Sequence, residues 1–240
     1  MILAAGLGMR LRPLTLTKPK PLIELRGRPL IVYALEHMAR AGVQKIAINT
    51  HYLAKQIPEA LGDNYQGIPI VYLYEPEILG TGGGLKNACE QVLGYEEPIF
   101  LMNSDIAVDL DLNNFLKQHE QIKPAVTLLL KTAPRPKDFI EIGTDSHNFV
   151  RSMVGLVPYQ GPQLLERLFC GTHLISPKAL SYLPQQKSFS IITEFYVPML
   201  KAGLKILGVE QRGAYFDLGT LENLQEAFQF FKAPPVLQSG

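Results

Sequence analysis

Short apolar runs rich in β-branched residues alternate with stretches of helical period through the first 132 residues. The pattern predicts strands at 2–4, 45–50, 68–74, 98–102 and 125–131, and helices at 29–42, 54–61, 82–93 and 111–121. Alternation at this spacing is typical of right-handed crossovers between the strands of a mostly parallel sheet. Ligands of such sheets bind beyond the carboxyl ends of the strands. We therefore expect a site on one rim of the sheet, formed by residues 6–12, 75–84 and 103–105.

The pattern changes after residue 132. Short strands are predicted at 139–142 and 149–154, on either side of the turn Gly143-Thr144-Asp145, and the Gly- and Pro-rich residues 155–163 predict an excursion from the core. Strands at 169–175 and 205–210 and helices at 177–183, 191–202 and 221–231 follow. The sequence thus predicts an α/β fold with a Rossmann-like, mostly parallel central sheet flanked by helices, and a small β excursion in the second half.

The composition is that of a globular protein, with 47% hydrophobic and 19% charged residues in a chain of 240. Neither an internal repeat nor a clear linker divides it, so we expect one domain over residues 1–232, in two parts of about 1–132 and about 133–232, and a tail at 233–240. The 23 basic residues balance 22 acidic ones, a net charge of +1 that argues against nucleic acid or an anionic membrane as partner.

Cys89 and Cys170 stand in no CxxC pair, so we interpret both as packing residues of a protein from a reducing cytoplasm. No apolar run approaches the about 18 residues of a membrane span, and the start lacks the pattern of a signal peptide. We expect a cytoplasmic protein, either a monomer or a small homo-oligomer.

The opening segment carries the strongest signal of a binding site. Gly6 and Gly8 follow the first predicted strand, where glycines let a ligand approach the backbone and leave N–H groups free to bind an anion. Residues 10–28 then contain six basic side chains and one acidic side chain. Arginine side chains match phosphate oxygens, and Lys20 stands between two prolines that stiffen its backbone. The segment fits neither the P-loop nor the dinucleotide-binding pattern. We interpret it as a phosphate-binding loop of another kind, with a solvated basic loop as the alternative.

A second glycine-rich segment begins at Glu75 and enters a predicted helix through the three consecutive glycines 82–84. It follows the carboxyl end of a strand, and a helix N-terminus favours anionic groups, so its backbone can contact a flat or phosphorylated ligand. The alternative is a loop that serves only tight packing, although three consecutive glycines cost conformational entropy that packing rarely requires.

Two aspartates far apart in the sequence each end an apolar strand. Asp105 follows residues 100–104, and Asp217 follows Tyr215-Phe216. Carboxylates beside phosphate-binding loops are suitable ligands for Mg²⁺, which takes one or two of them together with substrate phosphates. Taken singly, each aspartate is better explained as the cap of a turn or helix, and the metal interpretation depends on their occurrence together with the two loops.

Together, Gly6-x-Gly8-x-Arg10-Leu11-x-Pro13, Lys18-Pro-Lys-Pro and the downstream Asp105 and Asp217 resemble the sugar-1-phosphate nucleotidylyltransferases, over about residues 1–231. The resemblance implies a nucleotide bound against Leu3, Ala5, Gly6, Gly8, Glu75, Gly80, Gly82 and Gly83, with Glu75 and the backbone of Gly82 and Gly83 facing the base. It implies Arg10, Lys20 and Asp105 as the catalytic group, and Mg²⁺ as the cofactor, held by Asp105 and Asp217. The sugar-binding residues that it implies are Asn103, Asp138, Gly171 and Glu194.

The reaction that the resemblance implies joins an NTP to a sugar 1-phosphate and gives an NDP-sugar and pyrophosphate. The sugar phosphate oxygen is itself the nucleophile, so catalysis consists of aligning two anions and neutralising their charge. Candidates of this kind are cations, glycines and metal-binding acids, as found here.

The chain departs from the family's pattern in its second half. Residues 155–162 stand where many thymidylyl- and guanylyltransferases carry a Glu-Lys-Pro segment, and Lys137-Asp-Phe139 replaces their common Tyr-Gly pair. Both departures resemble the uridylyltransferase that acts on N-acetylmuramate 1-phosphate, so UTP with that sugar is the preferred pair. GTP with mannose 1-phosphate is the alternative, because Glu75 could accept a hydrogen bond from uracil or from guanine.

Two other classes of protein use the same loops. A non-catalytic nucleotide-sugar sensor would bind without releasing pyrophosphate, although a sensor need not retain both metal ligands. A transferase for phosphocholine would need an aromatic cage with nearby acids. Tyr159, Phe139 and Tyr196 are the candidates for such a cage.

Overall fold

The computed structural model describes residues 1–132 and 141–230. Its strands are β1 (Ile2–Leu3), β2 (Glu24–Leu25), β3 (Arg28–Pro29), β4 (Ile46–Thr50), β5 (Asn64–Tyr65), β6 (Ile68–Tyr74), β7 (Ile99–Asn103), β8 (Ile106–Val108), β9 (Val126–Lys131), β10 (Glu141–Thr144), β11 (Val150–Met153), β12 (Leu165–Ile175), β13 (Ile206–Glu210) and β14 (Tyr215–Asp217). Its α-helices are α1 (Leu30–Arg40), α2 (Gln56–Leu61), α3 (Gly80–Ala88), α4 (Leu112–Ile122), α5 (Pro177–Leu180), α6 (Val197–Lys201) and α7 (Leu221–Phe230). A π-helical segment at Cys89–Leu93 continues α3, and another at Ile191–Tyr196 precedes α6.

Ten of the described strands form one mixed, mostly parallel sheet. Its order is β11-β10-β12-β7-β1-β4-β6-β5, and β9 and β13 continue it from β12. β1 lies parallel between β4 and β7, with Ile2 opposite Ile48 and Met102, and β6 lies parallel beside β4. The carboxyl ends of these four strands consequently lie side by side on one rim. The predicted α/β fold with a central sheet is confirmed.

The second half of the chain joins the same sheet through β12, which is longer than predicted. β12 pairs antiparallel with β7 at 172–175 and with β10 at 165–168. Its register against β9 shifts between Phe169 and His173, where Gly171 has a φ of 67°. Such an irregularity bends a strand and re-aims its side chains. One strand therefore serves both the central sheet and the excursion beyond it.

Helices cover both faces of this sheet. On one face α1 buries the apolar stripe that its period predicts, and it packs with α4 against β4 and β7. On the other face α3, the segment 191–196 and α6 pack against β7 and β9. Each fully buried large side chain contributes about 1.5–3 kcal/mol, so the two layers hold the strand ends in fixed positions.

The turn predicted at Gly143-Thr144-Asp145 is displaced in the structure. Gly143 and Thr144 belong to β10, and the chain reverses after Asp145. The Asp145 carboxylate accepts the N–H groups of His147 at 2.9 Å and Phe149 at 3.0 Å. The prediction was wrong because an aspartate that bonds its own downstream backbone makes the turn, rather than the glycine before it.

The two cysteines lie in the core, as predicted. Both are buried and unpaired, and burial raises the pKa of each thiol to about 12. None of the helices in the described part of the chain has the length and apolarity needed to cross a bilayer.

Candidate active site

Two adjoining cavities open on the rim where β1, β4, β6 and β7 end. Cavity A has a volume of about 510 Å³ and is lined by residues 3–10 with Lys20, Pro21, Asn49, Glu75, Ile78, Gly80, Thr81, Asn103, Ser104, Asp105 and Gly219. Cavity B has a volume of about 790 Å³ and is lined by Leu3, Arg10, Thr81, Asn103, Asp105, Ile106, Phe169, Gly171, His173, Ser190, Ile191, Ile192, Tyr215, Asp217, Thr220, Glu222 and Asn223. The predicted rim is thus a pair of compartments that meet at Asp105.

The glycine loop, residues 5–8, lines cavity A. Within residues 1–132 and 141–230, no acceptor takes a hydrogen bond from the main-chain N–H groups of this loop. Gly8 has a φ of 63°, which favours glycine, and an added Cβ would lie 3.1 Å from Lys20 Cβ. Thr15 holds this conformation by donating its hydroxyl to the Gly8 carbonyl at 2.8 Å. Free N–H groups packed beside a cation form a binding place for an anion.

Lys20 and Asp105 form an ion pair across 85 residues of sequence. Lys20 donates to Asp105 Oδ2, and the two side chains are only 12% and 23% exposed. Asp105 lies just beyond β7, where its carbonyl accepts the N–H of Leu218 at 2.8 Å. The structure brings these two predicted catalytic residues into contact, and it places the third, Arg10, in the lining of both cavities.

Asp217 reaches the same junction through a two-stranded sheet that was not predicted from the sequence. β14 pairs antiparallel with β8, which places Asp217 opposite Ile106. Burial raises the pKa of Asp217, and repulsion from Asp105 raises it further. The Gly219 N–H donates to Asp217 Oδ1 at 2.8 Å and opposes that rise in pKa. The two predicted metal ligands therefore lie close enough to repel each other.

The donor set at this junction fits a divalent cation. Asp105 and Asp217 offer hard carboxylate oxygens, of which Mg²⁺ takes one or two together with phosphate oxygens and waters. The raised pKa of Asp217 marks a carboxylate whose charge is incompletely compensated, and a bound cation would compensate it. In the described ranges, no group of three or more His, Cys, Asp and Glu side chains could form a cage around a metal. The remaining ligands would have to come from substrate and solvent.

Glu75 lines cavity A and is held by a residue that the sequence analysis missed. Asn49 Nδ2 donates to Glu75 Oε1 at 2.7 Å, and the Leu79 N–H donates to Oε2 at 3.0 Å. Asn49 is itself 3% exposed and accepts the N–H of Ala4 at 2.8 Å. Each carboxylate oxygen has a second acceptor site, but Glu75 is only 1% exposed, so its contact with a base stays a prediction. An asparagine inside the apolar strand 46–50 was the available signal.

Gly82 and Gly83 do not offer their backbone to cavity A as predicted. Both N–H groups donate to the Phe189 carbonyl, at 3.0 Å and 3.3 Å. An added Cβ would overlap the Phe189 ring at Gly82 and the Lys187 carbonyl at Gly83. This geometry favours the packing interpretation of the glycine run. Gly80 does line cavity A, so its contact with a nucleotide stays a prediction.

Asn103 and Gly171 lie together in cavity B. Gly171 has a φ of 67°, and an added Cβ would lie 2.9 Å from Asn103 Nδ2. A larger residue than glycine would therefore displace the Asn103 amide from the cavity. Asp138, the third residue predicted to contact a sugar, lies outside the described residues.

Glu194, the fourth such residue, lies outside the lining of both cavities. Its side chain is exposed, and its Oε2 accepts the Ser190 N–H at 2.7 Å. Ser190 in turn accepts the N–H groups of Ile192 and Thr193 with its hydroxyl. This is a reciprocal helix cap, so the carboxylate of Glu194 is used to begin the segment 191–196 rather than to reach a ligand.

The aromatic cage considered for phosphocholine does not form from its described candidates. Tyr196 is fully buried, with its hydroxyl 2.8 Å from His173 Nδ1, and Tyr159 is exposed beside Gly161. Neither lines cavity B, and Phe139 lies outside the described residues. The rings that do line cavity B are those of Phe169 and His173, both on β12, and of Tyr215 on β14. Nothing in the sequence indicated that these two strands meet at one cavity.

A profile of the nucleotidyl transferase family matches residues 1–233. The chain belongs to this family. Mannose-1-phosphate guanylyltransferase catalytic subunit beta of Danio rerio is 31% identical over 228 residues, 91% of this chain and 60% of the relative. The UTP–glucose-1-phosphate uridylyltransferase of Synechocystis is 26% identical over 241 residues, 95% of this chain and 62% of the relative. The chain thus spans about 60% of the length of the curated relatives it matches.

Solved structures show the same fold. HddC from Yersinia pseudotuberculosis, crystallised as a complex with GMP-PN, is 25% identical with a TM-score of 0.76, and the match covers 96% of this chain and 98% of that one. UDP-glucose pyrophosphorylase complexed with UDP-glucose is 19% identical with a TM-score of 0.77, and covers 95% of this chain and 96% of that one. The second likeness supports the fold alone.

Proposed function

We propose that this chain transfers a nucleotidyl group from an NTP to a sugar 1-phosphate and releases pyrophosphate. The junction of the two cavities at the Lys20–Asp105 pair carries the proposal. Cavity A, with the glycine loop and Glu75, suits a nucleotide, and the larger cavity B suits the sugar. Phosphates that enter from the two sides would meet beside Lys20.

The sugar phosphate oxygen would attack the α-phosphorus, and the bond to pyrophosphate would break as that group leaves with the electron pair. The nucleophile is already ionised, so no general base is required, and the barrier lies in bringing two anions together. Lys20 has three N–H donors and can bind phosphate oxygens while it keeps Asp105. Arg10 lines both cavities, and the N–H groups of residues 5–8 supply fixed dipoles for the phosphates.

Enzymes of this family generally use a divalent metal ion. We propose Mg²⁺, held by Asp105 and Asp217, where it would neutralise phosphate charge. A carboxylate must be ionised to hold a metal. Because the pKa of Asp217 is raised, protons compete for that carboxylate as the pH falls. The affinity of the free protein for Mg²⁺ should therefore decline on the acid side sooner than the pKa of an ordinary aspartate would predict.

The relatives change the order in which substrates should be tested. GTP with mannose 1-phosphate comes first, because relatives in Danio rerio and Mycobacterium tuberculosis carry that name and the HddC structure holds GMP-PN. UTP with N-acetylmuramate 1-phosphate comes second, supported by the departures at 137–139 and 155–162. Glu75 suits either base, because its free acceptor sites can meet uracil N3–H or guanine N1–H. We propose that the reaction takes place in the cytoplasm.

The test is pyrophosphate release with Mg²⁺ across a grid of the four NTPs and dTTP against sugar 1-phosphates. The panel contains mannose, N-acetylmuramate, N-acetylglucosamine, glucose and a heptose, with phosphocholine as the non-sugar control. We expect one strong combination. Asp105→Asn should lower kcat by about 10²–10⁴, a loss typical of a group that stabilises transition-state charge. Asp109→Asn is the matched control, because Asp109 is exposed and lines neither cavity A nor cavity B.

Three results would each contradict a part of the proposal. Near-normal turnover by Asp105→Asn would remove the metal assignment. Tight binding of an NDP-sugar without pyrophosphate release from any combination would favour the sensor, and release with phosphocholine alone would favour the non-sugar transferase.

A further inference from the structure

Cavity B contains a histidine whose ring is held from the core side. His173 lies on β12, is 1% exposed, and lines the cavity. The ring of Phe169 meets it edge-on, with centroids 4.6 Å apart and planes at 61°. On the other side the Tyr196 hydroxyl lies 2.8 Å from His173 Nδ1. The imidazole therefore has a fixed orientation before any ligand binds.

The Tyr196 contact also decides where the imidazole carries its proton. Tyr196 is fully buried, and in the described part of the chain its hydroxyl contacts no polar atom except His173 Nδ1. A buried hydroxyl requires an acceptor, so Tyr196 donates to Nδ1 and the proton of the neutral ring lies on Nε2. Burial lowers the pKa of His173 to about 3 and raises that of Tyr196 well above its usual value, so both groups stay neutral near pH 7.

Nε2 is the ring nitrogen that no described protein atom uses, on a side chain that lines cavity B. Within residues 1–132 and 141–230 it has no hydrogen-bond partner, and it is not among the sealed polar atoms that lack one. The charged residues that line cavity B are Arg10, Asp105, Asp217 and Glu222, and the three carboxylates among them accept hydrogen bonds. His173 adds a donor of fixed direction and no charge. A buried donor left unpaired is costly, so a ligand oxygen placed against Nε2 is selected over one placed elsewhere.

We propose that His173 is a specificity-determining residue for the acceptor, and that its Nε2–H donates to a hydroxyl, ether or carbonyl oxygen of the sugar. This inference rests on the proposed function and deepens it. A sugar that places an ammonium group against Nε2 is rejected, because the ammonium N–H and the His173 Nε2–H are both hydrogen-bond donors. The N-acetylated form of the same sugar, which offers a carbonyl oxygen, is accepted.

Three variants separate the donor from the ring that carries it. His173→Phe keeps a flat ring and removes the donor, whereas His173→Gln places an amide N–H near the position of Nε2. Tyr196→Phe leaves the cavity lining unchanged and removes the hydroxyl that sets the proton on Nε2. His173→Phe should raise the KM for the sugar 1-phosphate about 10–100-fold, with the KM for the NTP within about twofold of wild type. His173→Gln should recover most of the loss, and Tyr196→Phe should lose less than His173→Phe.

A deoxy-sugar panel provides a second, independent arm. With the wild-type protein, one deoxy sugar 1-phosphate should have the same raised KM that the complete sugar 1-phosphate has with His173→Phe. With His173→Phe, the KM values of that deoxy sugar and the complete sugar should be equal. Equal increases in both KM values, or loss of NTP binding measured by calorimetry in His173→Gln, would assign His173 a merely structural role. If His173→Phe does not fold, the deoxy panel on wild type, His173→Gln and Tyr196→Phe gives the same decision.

Nitrogen NMR of the wild-type histidine side chains tests the inference without turnover, with the His173 signal assigned by its loss in His173→Gln. We expect the neutral Nε2–H tautomer, and a shift of this signal when the sugar 1-phosphate or NDP-sugar is added. The Nδ1–H tautomer, or a signal that no sugar phosphate or NDP-sugar moves, would overturn the inference. A wild-type protein that releases no pyrophosphate but shows the shift would refute the proposed function and leave His173 as a ligand donor.

Discussion

The packing of Gly82 against Phe189 predicts how Gly82→Ala changes the free energy of unfolding. The sign of that change shows whether the glycine run serves packing or ligand binding. Gly82 lies inside α3, and its φ imposes no strain on an alanine. On an unobstructed helix, Gly→Ala raises the free energy of unfolding by about 0.5–1 kcal/mol. If Gly82 served only a ligand, Gly82→Ala would therefore stabilise the free protein and raise the KM for the NTP.

The structure predicts the opposite sign for the change in stability. An added Cβ would overlap two ring carbons of Phe189 and lie 3.1 Å from the Ile191 nitrogen. Phe189 is 4% exposed, so its ring has little room to move. Overpacking of this kind costs about 1–3 kcal/mol, which exceeds the gain in helix propensity. We expect Gly82→Ala to lower the free energy of unfolding by about 1–2 kcal/mol.

A double-mutant cycle isolates the clash. Phe189→Ala alone should cost about 3–5 kcal/mol through the cavity that it leaves, and Phe189→Leu provides a milder background. In either background the methyl group added by Gly82→Ala enters vacated space, so the same change should be neutral or stabilising. Denaturant unfolding measures all the variants, and an unchanged m-value is required for the comparison. Stabilisation by Gly82→Ala in the wild-type background would refute the packing argument.

Three further predictions follow from contacts at the cavities and at the Ser190 cap. Asp217→Asn should stabilise the metal-free protein at pH 7–8, because the raised pKa of Asp217 makes its carboxylate unfavourable in the folded state. That penalty is present above the folded pKa and disappears as the pH falls below the unfolded value of about 3.9, so a thermal-midpoint gain that persists at pH 3 would exclude this cause. Glu75→Gln replaces one acceptor oxygen by a donor and should lower kcat/KM for the preferred NTP about 10–100-fold. Asn49→Ala leaves Glu75 Oε1 unpaired and should lower the same constant. If neither variant changes the preference among NTPs, Glu75 takes no part in base recognition. Glu194→Ala removes the acceptor of the Ser190 N–H, so it should cost about 0.5–2 kcal/mol of stability and leave the KM for the sugar 1-phosphate unchanged. An increase in that KM without destabilisation would restore Glu194 to the sugar site.

The parallel part of the sheet was predictable because its signals are local. Most residues of β4, β6 and β7 are apolar, and the order of strands and helices along the chain leaves few topologies to consider. The rim with the glycine loop and Asp105 follows from that order alone. The pairing of β8 with β14 did not follow, because β8 has only three residues and the pairing joins residues about a hundred positions apart.

Side-chain partners were less predictable than positions. Lys20 and Asp105 each had a physical reason to lie at the rim, but their direct contact depends on how the loop folds back over Gly8. For Glu194 the local sequence was a better guide than the resemblance to the family. Its place in the family's pattern suggested a ligand, whereas the local sequence from Ser190 to Glu194 already contained the elements of a helix cap.

The two cavities share five lining residues: Leu3, Arg10, Thr81, Asn103 and Asp105. A substitution at one of these positions alters both compartments at once, whereas Glu75 belongs to cavity A and His173 to cavity B. The preferred base and the preferred acceptor can therefore change independently in evolution, through substitutions in the lining of cavity A or of cavity B. The five shared residues constrain both preferences. An engineer who wishes to change the product should therefore begin with residues that line only one of the two cavities.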